Sequence, residues 1–256
     1  MKQNVMIRAE KLSIGYEDKV IMKDLSFTVA QGDIFIIMGG SGCGKSTLLR
    51  TLTGLIPALT GNIWIRGTDF INATPQEKLD IMRHSGILYQ SGALFSSMTL
   101  AENVALPLQQ YTAYNAQQIR QRVGFKLALV GLAGYEDYYP SQISGGMRKR
   151  AGLARALALD PEMVYFDEPS AGLDPVSSKN LDDLILEINK TLGTTIIVVT
   201  HELSSIFAIG KNSIFLDKTL QTISAAGNPH ELLKNPPNAQ VYEFLTRGAS
   251  YEKRTQ

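Results

Sequence analysis

The stretch Gly39-Gly40-Ser41-Gly42-Cys43-Gly44-Lys45-Ser46-Thr47 decides the fold of this chain. It satisfies the pattern G-x-x-x-x-G-K-[ST] at every fixed position, and the chemistry of phosphate binding explains each one. Glycines let backbone N–H groups turn inward around an anion, a lysine reaches the β- and γ-phosphates, and a hydroxyl is offered to Mg²⁺. The helix expected after the loop aims its positive end at the same anion. Ile34 to Met38 precedes the loop as a short apolar run suited to a buried parallel strand, and Leu48 to Leu52 follows it as helix. A glycine-rich surface turn would need neither the lysine, nor the serine, nor the buried strand. The stretch therefore predicts binding of a nucleoside triphosphate through Gly39 to Thr47.

Outward from the loop, Val5 to Leu12 and Val20 to Val29 alternate apolar and polar residues and predict an antiparallel β-layer. Asn62 to Arg66 reads as a further strand, Pro75 to His84 as a helix with proline in its first turn, and Gly86 to Gln90 as a strand ending in glutamine. A mostly helical segment follows from about residue 100 to 159. Met163 to Asp167, Thr194 to Thr200 and Ser213 to Asp217 are apolar stretches separated by helical ones, as expected of parallel strands covered on both faces. Between the first two, Asp174 is a suitable N-cap with Pro175 at the first helical position. Leu181, Leu184, Ile185, Ile188 and Leu192 repeat on one face of that helix.

The 256 residues carry 25 basic and 24 acidic side chains, a net charge of +1, so no global field favours nucleic acid or an anionic membrane surface. The longest apolar runs, such as Ile196 to Val199, fall far short of a spanning helix, and the N-terminus lacks a signal-type apolar core. The expected location is cytoplasmic, with membrane contact only through a partner. Cys43 is the only cysteine, which excludes an intrachain disulfide. It reads as a small side chain fitting the loop, with a thiol open to alkylation as the alternative.

Hydrolysis needs more than a phosphate loop. Asp167 ends an apolar strand, where a carboxylate can hold Mg²⁺ through water, and Glu168 follows where it can orient or deprotonate the attacking water. Thr200-His201 closes another strand and puts an imidazole at the carboxyl edge of the sheet, where ligands of open α/β folds bind. Gln90, also read at a strand end, offers an amide oxygen to Mg²⁺ or water. Ser144-Gly145-Gly146-Met147 opens a helix through Arg148, Ala151, Ala154 and Leu157, a second anion-binding helix start. Arg148-Lys149-Arg150 reads as a solvated helix face in preference to a basic binding patch.

Two such helix starts, a strand-end Asp-Glu pair and a strand-end histidine together resemble the ATP-binding-cassette ATPases, from about Val5 to Phe244. The resemblance implies a P-loop α/β fold with a mostly parallel core sheet, an antiparallel β-layer and a helical subdomain. It implies one domain over 1–246: a RecA-like core at about 1–92 and 160–225, a helical subdomain at about 93–159, C-terminal helices at about 226–246, and a polar tail over 247–256. It further implies ATP and Mg²⁺ as cofactors, with Ser46, Gln90 and Asp167 toward the metal. Tyr16 then stacks on adenine, Gly39 to Thr47 hold phosphate, Gln90 senses Mg²⁺ and a transmembrane partner, and Ser144 to Met147 form the signature motif. Glu168 is the catalytic glutamate, Ala171-Gly172-Leu173-Asp174 the loop named for its aspartate, and His201 the switch histidine. The signature ends in Met147 where glutamine is usual. Because a signature completes the partner subunit's ATP site in this family, a head-to-tail homodimer holding two ATP molecules is implied.

Met147, with the stretches Gly86 to Phe95 and Ser144 to Arg150, resembles more narrowly the ATPase subunits of Mla phospholipid transporters, relatives of the Mce systems. That implies a transmembrane permease on the inner membrane, a small STAS-domain subunit and a periplasmic MCE-domain protein as partners, and no nucleic acid. Ala93, Leu94, Phe95 and Met98 are the apolar residues expected to meet the permease. The competing readings are an importer of amino acids or metal ions, and a soluble cassette ATPase serving iron–sulfur assembly.

Overall fold

The computed structural model describes residues 4–17 and 19–249; the end of the expected polar tail, 250–256, lies outside them. In chain order the elements are β1 (Val5–Tyr16), β2 (Lys19–Ala30), β3 (Ile34–Met38), α1 (Lys45–Leu52), β4 (Thr60–Ile65), β5 (Thr68–Asp69), α2 (Pro75–Arg83), β6 (Ser85–Leu88), α3 (Leu100–Tyr111) and α4 (Ala116–Leu129). There follow α5 (Gly145–Ala156), β7 (Met163–Asp167), α6 (Pro175–Leu192), β8 (Thr195–Val199), α7 (Leu203–Ile209), β9 (Asn212–Asp217), β10 (Thr222–Gly227), α8 (Pro229–Lys234) and α9 (Ala239–Leu245). The chain forms two compact units, residues 1–74 with 198–256 and residues 75–197, so the boundary falls inside β8.

The first unit holds an antiparallel layer in the order β2-β1-β4-β5 and a ladder in which β3 runs parallel to β9, with β10 antiparallel beyond it. The alternation read in β1 and β2 is real. Ile7, Ala9, Leu12, Leu25, Phe27 and Val29 are buried, while Arg8, Glu10, Ser26 and Thr28 between them meet solvent. All five residues of β3 are buried, each burial worth about 1.5–3 kcal/mol, so this strand is the rigid stem of the loop that follows it. The Thr200 N–H donates to the Ile37 carbonyl at 3.2 Å, which fixes the exit of β8 beside the exit of β3. On the other flank, the Asp217 carboxylate at the end of β9 accepts from the N–H groups of Thr219 and Leu220 and pins the turn into β10.

The second unit places β6 parallel to β7, in register from Ser85↔Met163 to Leu88↔Phe166, with α5 lying on β6. The approach is close: a Cβ at Gly86 would stand 2.3 Å from the Ala156 carbonyl oxygen. Helix α3 begins with a capping box, Thr99 accepting from the Glu102 N–H and Glu102 accepting from the Thr99 N–H, so two orphan donors are satisfied. Lys126 of α4 is buried and donates to Asp160 at 2.5 Å, tying that helix to the turn before β7.

The α/β class, the mixed sheets and the helical insertion match the reading of the sequence. Three details differ. β6 ends at Leu88 rather than Gln90, because the Gly92 N–H donates to the Tyr89 carbonyl and a turn takes over. Leu192 is largely exposed although Leu181, Ile185 and Ile188 of the same helix are buried; it occupies the last residue before the Gly193 cap. Lys149, read as part of a solvated face, is buried.

Candidate functional site

In the first unit the loop after β3 fulfils its geometric requirements. Gly39 has φ +152 and a Cβ there would lie 2.6 Å from the Leu216 carbonyl oxygen. Gly44 has φ +95 and a Cβ would meet Ile21 Cγ2 at 2.8 Å, so neither position accepts another residue without strain. Gly44 is the N-cap of α1 and, lacking a side chain, makes no cap bond of its own. The Lys45 ammonium, 7% exposed, donates to the carbonyls of Gly39 at 2.9 Å and Gly40 at 3.1 Å. Those two bonds curl the loop back over the start of α1. Ser46 is half-buried in the first turn of α1, and Gly40, Ser41 and Gly42 face solvent. Cys43 is buried, as expected of a small side chain that fits the loop.

Tyr16 closes β1 with its ring 42% exposed, and its hydroxyl accepts from the Arg50 guanidinium at 3.1 Å. Hydrogen bonds from the Thr47 hydroxyl and then from Arg50 draw the phenol pKa below its ordinary value. His201, exposed, follows the end of β8, its Nε2 3.8 Å from the Glu202 carboxylate. Through the Thr200–Ile37 bond it stands at the same strand edge as the phosphate loop.

The second unit carries the other set. Asp167, half-buried, ends the otherwise buried β7, and Glu168 follows it in the left-handed region at φ +48. Its carbonyl accepts from the Ala171 N–H at 3.2 Å, and the Ser170 carbonyl accepts from the Leu173 N–H at 3.1 Å, so two linked turns carry the chain to Asp174. Asp174 caps α6 by accepting from the Val176 and Ser177 N–H groups; bonds from Ser177 hold its pKa below the ordinary carboxylate value. Ser144 caps α5 by accepting from the Met147 N–H at 3.2 Å, so the exposed and half-buried residues Ser144 to Met147 open that helix with free backbone donors at Gly145 and Gly146. Gln90 is exposed on the turn after β6.

The structure thus gathers Tyr16, Gly39 to Thr47 and His201 in one unit, and Gln90, Ser144 to Met147, Asp167, Glu168 and Asp174 in the other. Sequence reasoning missed Arg50, the partner of Tyr16, and Lys149. The signal for Lys149 was there: Gly152 and Leu153, three and four residues on, share its helical face and are buried. Oxygen donors suit Mg²⁺, which takes few protein ligands and keeps waters and phosphate oxygens for the rest; the Ser46 hydroxyl and the Asp167 carboxylate are of that kind.

A model of the ABC transporter family matches residues 22–171. The chain belongs to the ABC transporter family. This ABC chain is 41% identical over 241 residues to the probable ribonucleotide transport ATP-binding protein mkl of Mycobacterium tuberculosis, covering 94% of itself and 66% of mkl. It therefore spans just under two thirds of the length of mkl. With the intermembrane phospholipid transport system ATP-binding protein MlaF of Escherichia coli it shares 38% identity over 248 residues, 96% of this chain and 91% of MlaF. The ATP-binding cassette MJ0796, solved as a dimer bound to ADP and Pi in a post-hydrolysis state, superposes with a TM-score of 0.79 at 27% identity, over 87% of this chain and 98% of that one. The ABC fold is thus common to both. Among the described residues no helix is long and apolar enough to cross a membrane.

Proposed function

We propose that this chain is the ATP-hydrolysing subunit of a membrane transporter that moves phospholipid between the inner and outer membranes of a two-membrane envelope and so maintains outer-membrane lipid asymmetry. The observation that carries the substrate is the extent of the likeness to MlaF, which runs through 96% of this chain and 91% of MlaF. The mkl likeness, at slightly higher identity, supports a second reading as a nucleotide transporter and leaves a third of mkl unmatched.

In this reading the Gly39 to Thr47 backbone and Lys45 hold the β- and γ-phosphates, and Tyr16 stacks on the adenine with its hydroxyl anchored by Arg50. Glu168 accepts the proton of the attacking water. The water oxygen bonds to the γ-phosphorus, the bond to the bridging oxygen breaks, and ADP leaves with that electron pair. His201 donates to the γ-phosphate from its strand edge, and Gln90 orients water. Ser46, Asp167 and Gln90 would hold Mg²⁺, which would supply positive charge against the phosphate oxygens. The open α5 start at Ser144 to Met147 reads the nucleotide of a second copy, whose backbone contact does not depend on the usual glutamine at Met147. A dimer with two ATP molecules follows.

The chain works on the cytoplasmic face of the inner membrane and meets the bilayer only through its permease. Within the second unit, Phe95 is 51% exposed and lines a cavity of about 440 Å³ with Met82, Arg83, Pro107, Tyr111 and Arg155. Ala93 is exposed and Leu94 and Met98 are half-buried beside it, which supports this loop as the permease contact. A STAS-domain subunit and a periplasmic MCE-domain protein complete the complex.

The test is to tag the Glu168→Gln chain, extract it from membranes in mild detergent with ATP, and identify what accompanies it by mass spectrometry. A permease with an MCE-domain protein and phospholipid is the expected result. A permease without lipid moves the substrate to small solutes such as nucleotides, and recovery with soluble partners alone removes the transport role.

A further inference from the structure

Lys149 sits in the fifth position of α5, 6% exposed, in a helix that opens with Ser144 to Met147. Its ammonium donates to the Pro169 carbonyl at 2.6 Å and the Ala171 carbonyl at 2.5 Å. Those oxygens belong to the turn that leaves Glu168, the one whose first bond joins the Ala171 N–H to the Glu168 carbonyl. A lysine is rarely buried unless its charge is answered, and here two main-chain dipoles answer it, with the Glu168 carboxylate near enough to favour the charged form against the desolvation that lowers its pKa. The contact has a second point of attachment along the same helix. Gly146 lies against α6 and its approach, where a Cβ would meet Ser177 at 3.6 Å and Leu173 at 3.9 Å. Helix α5 is thus joined to the Glu168–Asp174 segment at its first turn by packing and at its second by a charged clamp.

Glu168 has an unusual backbone for its residue type, at φ +48, and such a conformation persists only where surroundings over-determine it. The Ala171–Glu168 and Leu173–Ser170 hydrogen bonds are the local part of that determination. The Lys149 ammonium is the part that comes from elsewhere in the fold, since it grips the residues one and three places beyond Glu168.

We infer that Lys149 is a positioning residue for hydrolysis: its ammonium clamps the Pro169–Ala171 main chain to α5, holds Glu168 in line for the attacking water, and links that carboxylate to the helix start at Ser144–Met147. The inference rests on the proposed role of Glu168. Lys149 exerts its effect through the carbonyls it holds. When Ser144 to Met147 engage the nucleotide of a second copy, a displacement of α5 reaches the Glu168 segment through the Lys149 ammonium as well as through the Gly146 packing, which gives the two ATP sites of a dimer a common mechanical part.

The experiment uses the purified full chain and its Lys149→Met, Lys149→Arg and Glu168→Gln variants, measuring phosphate release against ATP concentration, affinity for a fluorescent ATP analogue, and thermal melting. A clamp predicts that Lys149→Met loses on the order of ten- to a hundredfold in kcat, with nucleotide affinity unchanged within about twofold. Lys149→Arg, which keeps the charge and the donors, recovers most of the loss. Wild-type kcat in a folded Lys149→Met chain overturns the inference, and so does a parallel loss of affinity and kcat that Lys149→Arg fails to repair, which marks a purely structural role. Glu168→Gln separates the two layers. If it turns over like wild type, the assignment of Glu168 fails and the clamp has nothing to position. If it is inactive while Lys149→Met is not, Glu168 stands and the clamp alone is wrong.

Discussion

The Arg50 guanidinium of α1 donates to the Tyr16 hydroxyl of β1 at 3.1 Å, so an aromatic ring that is 42% exposed is held at its far end by a residue one turn beyond Lys45. A ring fixed in this way is preorganised to stack on a base. Replacing Tyr16 by Ala should weaken ATP by about 1–3 kcal/mol, the usual worth of one base–aromatic stack, while Tyr16→Phe keeps the ring and loses far less. Titration of a fluorescent ATP analogue measures both, and equal affinity for Tyr16→Ala and wild type would remove the ring from the site.

The same pair makes a pH prediction. Hydrogen bonds from Thr47 and Arg50 lower the Tyr16 pKa from 10.0, so in the folded chain this phenol ionises earlier than a free one. A depressed pKa contributes stability that is complete above the unfolded value near 10 and is lost as pH falls through the lowered one, so it adds nothing at neutral pH. Arg50→Met should move the Tyr16 titration, read as tyrosinate absorbance near 295 nm, upward, though not fully to 10.0, because the Thr47 hydroxyl remains.

Glu168→Gln keeps size and shape and removes the proton acceptor. ATP binding should persist while phosphate release falls on the order of a hundredfold or more, with the dimer accumulating in the ATP-bound state. Phosphate-release assays and size-exclusion chromatography with ATP check the two halves.

Lys45→Ala should act on binding itself. The change removes a charge-assisted contact worth about 1.5–3 kcal/mol and also releases the Gly39 and Gly40 carbonyls that the ammonium now holds. Calorimetric titration should show affinity reduced at least tenfold, and normal affinity would contradict the loop assignment.

Asn103 is fully buried and its amide serves a whole loop, donating to the carbonyls of Phe95, Met98 and Thr99 and accepting from the Phe95 N–H at 2.8 Å. Asn103→Ala leaves those groups unmet at about 1–3 kcal/mol for a buried orphan, a fall in Tm of several degrees. Phe95→Asp leaves that frame intact and should keep Tm and ATP affinity while abolishing co-purification of the permease; retained co-purification moves the contact elsewhere.

Much of this was legible in the sequence because its causes are local. The buried stem Ile34 to Met38, the glycines of the loop after it, the Asp174 cap before Pro175, and the small residues at Gly145 and Gly146 each declare themselves within a few positions. The misses have non-local causes. The residues around Lys149 mark its helical face as buried, yet the carbonyls that accept its charge come from Pro169 and Ala171, and no window around Arg148-Lys149-Arg150 contains them. β6 stops at Leu88 because a turn bond at Gly92 competes with the ladder, which apolar patterning from Gly86 to Tyr89 does not register. The Tyr16–Arg50 bond joins positions from a strand and a helix that periodicity treats separately.

The Lys149 clamp grips oxygens of the main chain rather than side chains. Whatever residues occupy positions 169 and 171, they present the same carbonyls, so substitutions there need no matching change at 149. The link would leave no trace in paired variation between lineages: one end of it is written in the gene and the other is common to every polypeptide.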